Sequence, residues 1–304
     1  MTNVAVLDCG SNSTRLLIVT ASGRAIEREM RITRLSAGVD SARNLAPDAM
    51  QRSFAALSEY RKLMDERQVT RGLLVATSAV RDASNGADFL TRASGISGVE
   101  ARTLSGTEEA IYSFAGATQD LEDDPRNTVI VDIGGGSTEL ALRRDREVLG
   151  YSMQLGCVRV SERALGFGVV DPAARALART MIDLEMDKAF DAVSEFARVR
   201  GNVRLVGLAG TVATLAQLDA GLDTYERSAV HHRLVSRTAV QEWRDRLGAL
   251  MPAQRLEIAG MVPGREDVMV AGLFILDAVM ERFNVNELLS SEDDILDGVA
   301  ASLI

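Results

Sequence analysis

A strand–turn–strand unit occurs twice in this chain, and any fold must accommodate both copies. Val4-Ala-Val-Leu-Asp-Cys-Gly-Ser-Asn-Ser-Thr-Arg-Leu16 superimposes on Val129-Ile-Val-Asp-Ile-Gly-Gly-Gly-Ser-Thr-Glu-Leu140 at a constant offset of 124 residues. Asp8 falls on Asp132, Gly10 on Gly134, Ser13 on Ser137, Thr14 on Thr138 and Leu16 on Leu140. In each copy an apolar run that reads as a buried strand ends in an aspartate, a turn of glycines and hydroxyls follows, and a second strand resumes. Glycines let a backbone approach an anion closely and turn successive N–H groups towards it. Asp132, at the end of its strand, can hold a metal ion or its water. One such turn is equally well a tight strand connection; the repeat favours phosphate loops. Two like units imply two like α/β domains facing each other across a cleft, with a loop from each.

A third turn, Val206-Gly-Leu-Ala-Gly-Thr-Val-Ala213, follows an apolar run and opens a helix, so the N–H groups around Gly210 and Thr211 can receive another anion. The net charge of −9 and pI near 5.0 argue against a broad nucleic-acid or membrane surface. With only 4% aromatic residues, base-stacking platforms are scarce as well. A polyanionic substrate must therefore be met by local positive charge and metal. Lys62 and Lys188 are the only lysines among 34 basic residues, and neither stands in a Gly-Lys-Ser/Thr run, which excludes a P-loop. The two cysteines, Cys9 and Cys157, are too few for a disulfide framework and fit a reducing cytoplasm. No apolar run approaches the length of a membrane span, and Asp8, Asn12 and Arg15 break the N-terminus as a signal peptide.

Along the chain, a third strand is expected from Ala25 to Arg34. A helix from Pro47 carries Ala49, Phe54, Leu57, Tyr60, Leu63 and Met64 at helical period. Gly72 to Thr77 reads as a parallel strand, Asn85 to Ala93 as its crossover helix and Val99 to Leu104 as a further strand. Thr77-Ser-Ala-Val-Arg-Asp82 leaves the carboxyl end of a strand, where ligands sit in open α/β sheets, so Arg81 is placed to meet phosphate. The competing reading is an ordinary surface arginine. Ser105 and Glu108 have capping-box spacing, which ties Glu108 to the helix start and leaves Glu109 the freer carboxylate. The acidic stretch from Gln119 to Asn127 marks a domain boundary. His231 and His232 lie in a strand-like run, where neighbours face opposite ways and cannot both point at one metal. Structural roles are expected for them, and a core role for Trp243.

The two loops and the late Gly-x-x-Gly-Thr turn resemble the actin/Hsp70/sugar-kinase superfamily. Within it, Asp8-Cys-Gly-Ser-Asn-Ser13, Ser105-Gly-Thr-Glu-Glu-Ala110 and Asp132-Ile-Gly-Gly-Gly-Ser-Thr-Glu139, in that order, resemble the exopolyphosphatase/guanosine pentaphosphate phosphohydrolase family over essentially the whole chain. The resemblance implies two ribonuclease H-like (actin-like ATPase) domains of duplicated topology with an interdomain cleft, residues 1–122 and 123–290, with a helix in 291–304 packing back on the first. It implies metal-dependent hydrolysis of the terminal phosphoanhydride of inorganic polyphosphate, or alternatively of the 5′-phosphate of guanosine pentaphosphate. More remote are an ATP-dependent kinase and a non-catalytic phosphate or nucleotide sensor. By the same resemblance Glu109 is the general base and Arg81 stabilises the transferring group. Gly10, Ser11, Asn12, Ser13, Gly134, Gly135, Gly136, Ser137, Gly210 and Thr211 bind phosphate, and Asp132 and Glu139, with Asp8 a further candidate, hold Mg²⁺ or Mn²⁺. Gly156-Cys157-Val-Arg159 is similar to a family turn near substrate, with Cys157 a backbone contact rather than a nucleophile. Arg265, in Val262-Pro-Gly-Arg-Glu-Asp-Val268, either reaches the cleft or is structural. The chain departs from the family at Ile295-Leu-Asp-Gly298, where an arginine-containing sequence is usual. No nucleic-acid or membrane partner is expected, and a homodimer is left open.

Overall fold

The computed structural model describes residues 3–304. The chain divides into two compact units, residues 1–116 with 295–304, and residues 117–294. Each is built on one mixed sheet with helices.

In the first unit, β1 (Asn3–Cys9), β2 (Ser13–Val19), β3 (Ala25–Ile32), β4 (Val69–Ala76) and β5 (Glu100–Thr103) are ordered β3-β2-β1-β4-β5. The antiparallel β1–β2 and β2–β3 pairs follow from tight turns, whereas β4 and β5 run parallel to β1 and need crossovers. The alternation along β1 shows why three layers form. Ala5, Leu7 and Cys9 join the core built with the helix Pro47–Glu66, which contributes Ala49, Phe54, Leu57, Tyr60 and Met64. Val4 and Val6 face the other way, into a cluster with Ile295, Leu296, Val299 and Ala300 of the helix Ile295–Leu303. Both faces of a central strand are thus buried, as a near-continuous apolar run requires. Gly298 is needed in that last helix because a Cβ there would lie 2.0 Å from the Tyr112 carbonyl oxygen.

In the second unit, β6 (Asn127–Ile133), β7 (Thr138–Arg144), β8 (Glu147–Met153), β9 (Val203–Leu208), β10 (Leu234–Ser236) and β11 (Glu287–Ser290) are ordered β10-β11-β9-β6-β7-β8. Read from β8, this repeats the first sheet strand for strand, with β10 added antiparallel on the edge. β10 and β11, three and four residues long, are too short to show a sequence period. The core is closed by the helices Pro172–Ala192, Ala209–Asp219, Arg237–Gly248 and Met269–Phe283, with Phe190, Phe196 and Phe283 in mutual contact. The long helix after Pro172 ends at Ala192, and Phe196 belongs to a separate turn, Glu195–Arg198. Among the described residues no helix is long and apolar enough to cross a membrane.

Candidate active site

The two turns have the same internal geometry. Gly10 N–H donates to the Ser13 carbonyl at 3.0 Å, and Gly134 N–H to the Ser137 carbonyl at 3.0 Å. A Cβ on either glycine would stand 3.1 Å from that carbonyl oxygen, so both positions favour glycine for the same reason.

In the first unit the β1–β2 register sets Arg15 directly opposite Asp8. Arg15 Nε and Nη2 both donate to Asp8 Oδ2, at 2.9 and 2.7 Å, and Asp8 is buried. A guanidinium thus already neutralises the carboxylate that sequence offers as a further metal ligand. The loop's carbonyls are held from below: Ser36 N–H donates to Ser11 O, and Thr33 and Arg34 N–H to Asn12 O. Ser11 Oγ meets Ser78 Oγ at 3.0 Å. Ser78 opens the short helix Ser78–Asp82 at the end of β4, and that helix carries Arg81. Arg81 donates to the Leu104 carbonyl at 2.8 Å and to the carboxylate of Glu109, which is 4% exposed. Ser11, Arg81 and Glu109 are therefore brought together through Ser78, whose part the sequence reading did not assign.

Glu108, next to Glu109, is engaged otherwise. Its carboxylate accepts from Ser105 N–H at 2.8 Å, Ser105 Oγ at 2.9 Å and Arg102 at 2.7 Å, and its own N–H donates to Ser105 Oγ. This is the reciprocal box that the Ser-x-x-Glu spacing anticipates. The Ser105 amide first, then Arg102, holds the Glu108 carboxyl below its ordinary value.

In the second unit, register places Glu139 opposite Asp132 and Ser152 opposite Glu139. Directly opposed residues project from the same sheet face. Glu139, 3% exposed, accepts a hydrogen bond from Ser152 Oγ at 2.6 Å, and Asp132 is half-buried. Two carboxylates on one face offer oxygen donors of the kind a hard divalent cation takes.

The carbonyls of this turn are also drawn away from its open side. Gly134 O accepts from Cys157 N–H at 2.9 Å, Gly135 O from Val158 and Arg159 N–H at 2.9 and 3.2 Å, and Gly136 O from buried Arg159 Nε at 2.8 Å. The Gly135 and Gly136 N–H groups donate to no backbone carbonyl among the described residues. Gly156 lets the chain pass this close, since a Cβ there would lie 2.2 Å from Gly135 O. Burial pushes the Cys157 thiol up to about 11, so it stays protonated near neutrality and serves through its backbone N–H.

Gly210 and Thr211 start the helix Ala209–Asp219. A Cβ on Gly210 would sit 1.7 Å from the Arg265 guanidinium carbon, so Arg265 lies directly over this helix start. Thr211 is buried and fills the space against Gly272. Its environment is one of helix packing. Arg159 and Ser152, which position the second loop and Glu139, were not singled out as site residues in the sequence. The signal for Ser152 lay in the strand register, and that for Arg159 in a side-chain reach from the helix Cys157–Val160 to the loop, neither of which a one-dimensional motif displays.

A family model described as the Ppx/GppA phosphatase family matches residues 17–304. Exopolyphosphatase 2 of Mycobacterium tuberculosis is 37% identical over 320 aligned positions, covering 100% of this chain and 99% of the relative. The crystal structure of an exopolyphosphatase-like protein superimposes with a TM-score of 0.92 at 31% identity, covering 100% of both chains. The Aquifex aeolicus PPX-GPPA enzyme follows the fold with a TM-score of 0.78 at 28% identity, covering 99% of each.

Proposed function

The chain belongs to the Ppx/GppA phosphatase family, and we propose that it is an exopolyphosphatase, removing orthophosphate from the end of inorganic polyphosphate. The observation that carries this reading is the buried Glu109 carboxylate, bonded to Arg81 and linked through Ser78 to the phosphate-type turn at Ser11. A base and a cation stand together beside backbone N–H groups suited to an anion.

In the reaction a water oxygen forms a bond to the terminal phosphorus while the bond from that phosphorus to the bridging oxygen breaks. Glu109 accepts the water's proton, and the bridging oxygen leaves with the shortened chain. Arg81, which holds Glu109 in the free protein, can also donate to a phosphoryl oxygen as negative charge builds there. The N–H groups of Gly135 and Gly136 offer a second phosphate cradle. Asp132 and Glu139 would hold Mg²⁺ or Mn²⁺; when bound, such an ion offsets phosphate charge in a chain of net charge −9. Two buried free cysteines suit a reducing, cytoplasmic setting.

The same linkage occurs at the 5′ end of guanosine pentaphosphate, and one assay separates the readings. Orthophosphate release is measured with Mg²⁺ from long-chain polyphosphate, guanosine pentaphosphate and ATP, for wild type and Glu109→Gln. Release from polyphosphate that falls in the variant by roughly a hundredfold or more supports the proposal. Preference for the guanosine compound moves the activity to that substrate. Near-normal release by a folded Glu109→Gln protein removes Glu109 as the base, and binding without release from any substrate leaves a sensor.

A further inference from the structure

The adjacent histidines do not behave as neighbours on a strand. His231 ends the short helix Arg227–Val230 in an extended conformation, and His232 takes a left-handed one, φ 58°. That single backbone reversal brings both rings to one side, stacked with centroids 3.8 Å apart. Both Nε2 atoms then face Asp120: His231 Nε2 lies 3.0 Å from Oδ2 and His232 Nε2 lies 3.6 Å from Oδ1. His232 Nε2 is buried and makes no hydrogen bond.

A nitrogen 3.6 Å from a carboxylate oxygen is too far for a hydrogen bond. The spacing is close to the edge of a tetrahedron whose donors lie ~2.0–2.1 Å from a central ion, an edge of about 3.4 Å. All three donor atoms lie within 4.8 Å of one another. We propose that Asp120, His231 and His232 form a binding site for a divalent transition-metal ion of the Zn²⁺ class, a site that does not depend on the hydrolase reading. Two imidazoles and one carboxylate are a donor set that Zn²⁺ favours over Mg²⁺, in contrast to the all-oxygen pair Asp132 and Glu139. The field at the site is negative: Asp293 stands 4.0 Å from His231 Nε2, and its nearby cation Arg227 is committed to an ion pair with it.

Binding has a defined cost in the surrounding bonds. His231 Nδ1 accepts the Glu292 N–H at 3.0 Å, so its proton resides on Nε2 and is donated to Asp120. When Nε2 coordinates an ion, that proton moves through solvent to Nδ1, and the Glu292 N–H loses its acceptor. The stacked rings also splay so that their lone pairs converge. Metal occupancy and the Glu292 bond therefore exclude each other.

Co²⁺ is the probe, added in a large excess of Mg²⁺ so that oxygen sites are filled. One Co²⁺ per chain is expected, with the visible absorption of a tetrahedral nitrogen and oxygen site, displaced by Zn²⁺, and with faster amide exchange at Glu292. His232→Asn, whose side chain tolerates the left-handed conformation, removes the absorption and weakens binding at least tenfold while the fold persists. His231→Gln does the same and serves if the first variant misfolds. Absence of Co²⁺ binding in wild type, or an absorption that survives both substitutions, overturns the assignment.

Discussion

The turn at Gly10 and the turn at Gly134 close with the same 3.0 Å hydrogen bond, yet their aspartates face different residues across the ladder. Across from Asp8 stands Arg15, which forks both its donors onto one carboxylate oxygen. Across from Asp132 stands Glu139, which accepts a hydrogen bond from the neutral hydroxyl of Ser152. One backbone device therefore serves twice with different charge. In the first unit a guanidinium stands across the ladder from the aspartate; in the second a further carboxylate does, and the two acids share a sheet face. The difference teaches that one turn geometry is kept in both places while the residue seven positions after the aspartate, Arg15 or Glu139, sets the charge it faces across the ladder.

Replacing Arg15 by glutamate tests this most severely. The variant gives the first turn the charge pattern of the second and leaves buried Asp8 beside a like charge. Breaking a buried pair in this way should cost on the order of 3–5 kcal/mol. Urea unfolding with and without millimolar Mn²⁺ measures it, and partial recovery of stability by the ion is expected. A variant as stable as wild type without any ion would show that register alone does not set the charge roles.

In the second turn, Glu139→Gln should retain the Ser152 bond through its amide oxygen and so keep the fold. Metal ions supply several kcal/mol of transition-state charge stabilisation. At about 1.4 kcal/mol per tenfold, kcat should drop roughly a hundredfold or more. A steady-state assay across Mg²⁺ concentrations checks this.

Gly156→Ala addresses how the loop is held. The new Cβ meets the Gly135 oxygen at 2.2 Å, so the loop or its support must move. A loss of about 1–3 kcal/mol by thermal unfolding is expected, with a raised KM. Gly95 is the contrast, since a Cβ there meets nothing within 4 Å. Gly95→Ala, inside the helix Gly86–Ser97, should stabilise by roughly 0.5–1 kcal/mol with kinetics unchanged.

An effect of similar size separates Glu108 from its neighbour. Because its folded carboxyl titrates below the ordinary 4.5, its contribution is complete above that pH and is lost as the pH falls further. Glu108→Gln should therefore cost about 1 kcal/mol at pH 7, and the gap from wild type should shrink steadily in acid. Unfolding curves at neutral and acid pH give the comparison.

Much of this architecture is readable from residue order. Alternating burial in β1, the helical period after Pro47 and the capping box at Ser105 are local patterns, and local patterns survive in a linear sequence. Other features left weaker traces. β10 and β11 fall below the length at which a period can be counted, and sheet pairing alone defines them. Ser78 and Arg159 act through contacts with loops that lie 67 and 23 residues away along the chain. The histidine pair departs from the alternation of a strand because one left-handed residue, His232, turns both rings to one side.

Sequence by itself determined the duplicated turn, its spacing and the identity of the acids and glycines, since these depend on residue type and short-range geometry. Tertiary structure alone decided what each group meets. It placed Arg15 on Asp8, Glu139 beside Asp132, Arg81 on Glu109, and two histidines on one aspartate. The physical reason is that charge acts through space and falls with distance, so a carboxylate's role is set by neighbours that strand register and loop path deliver from elsewhere in the chain.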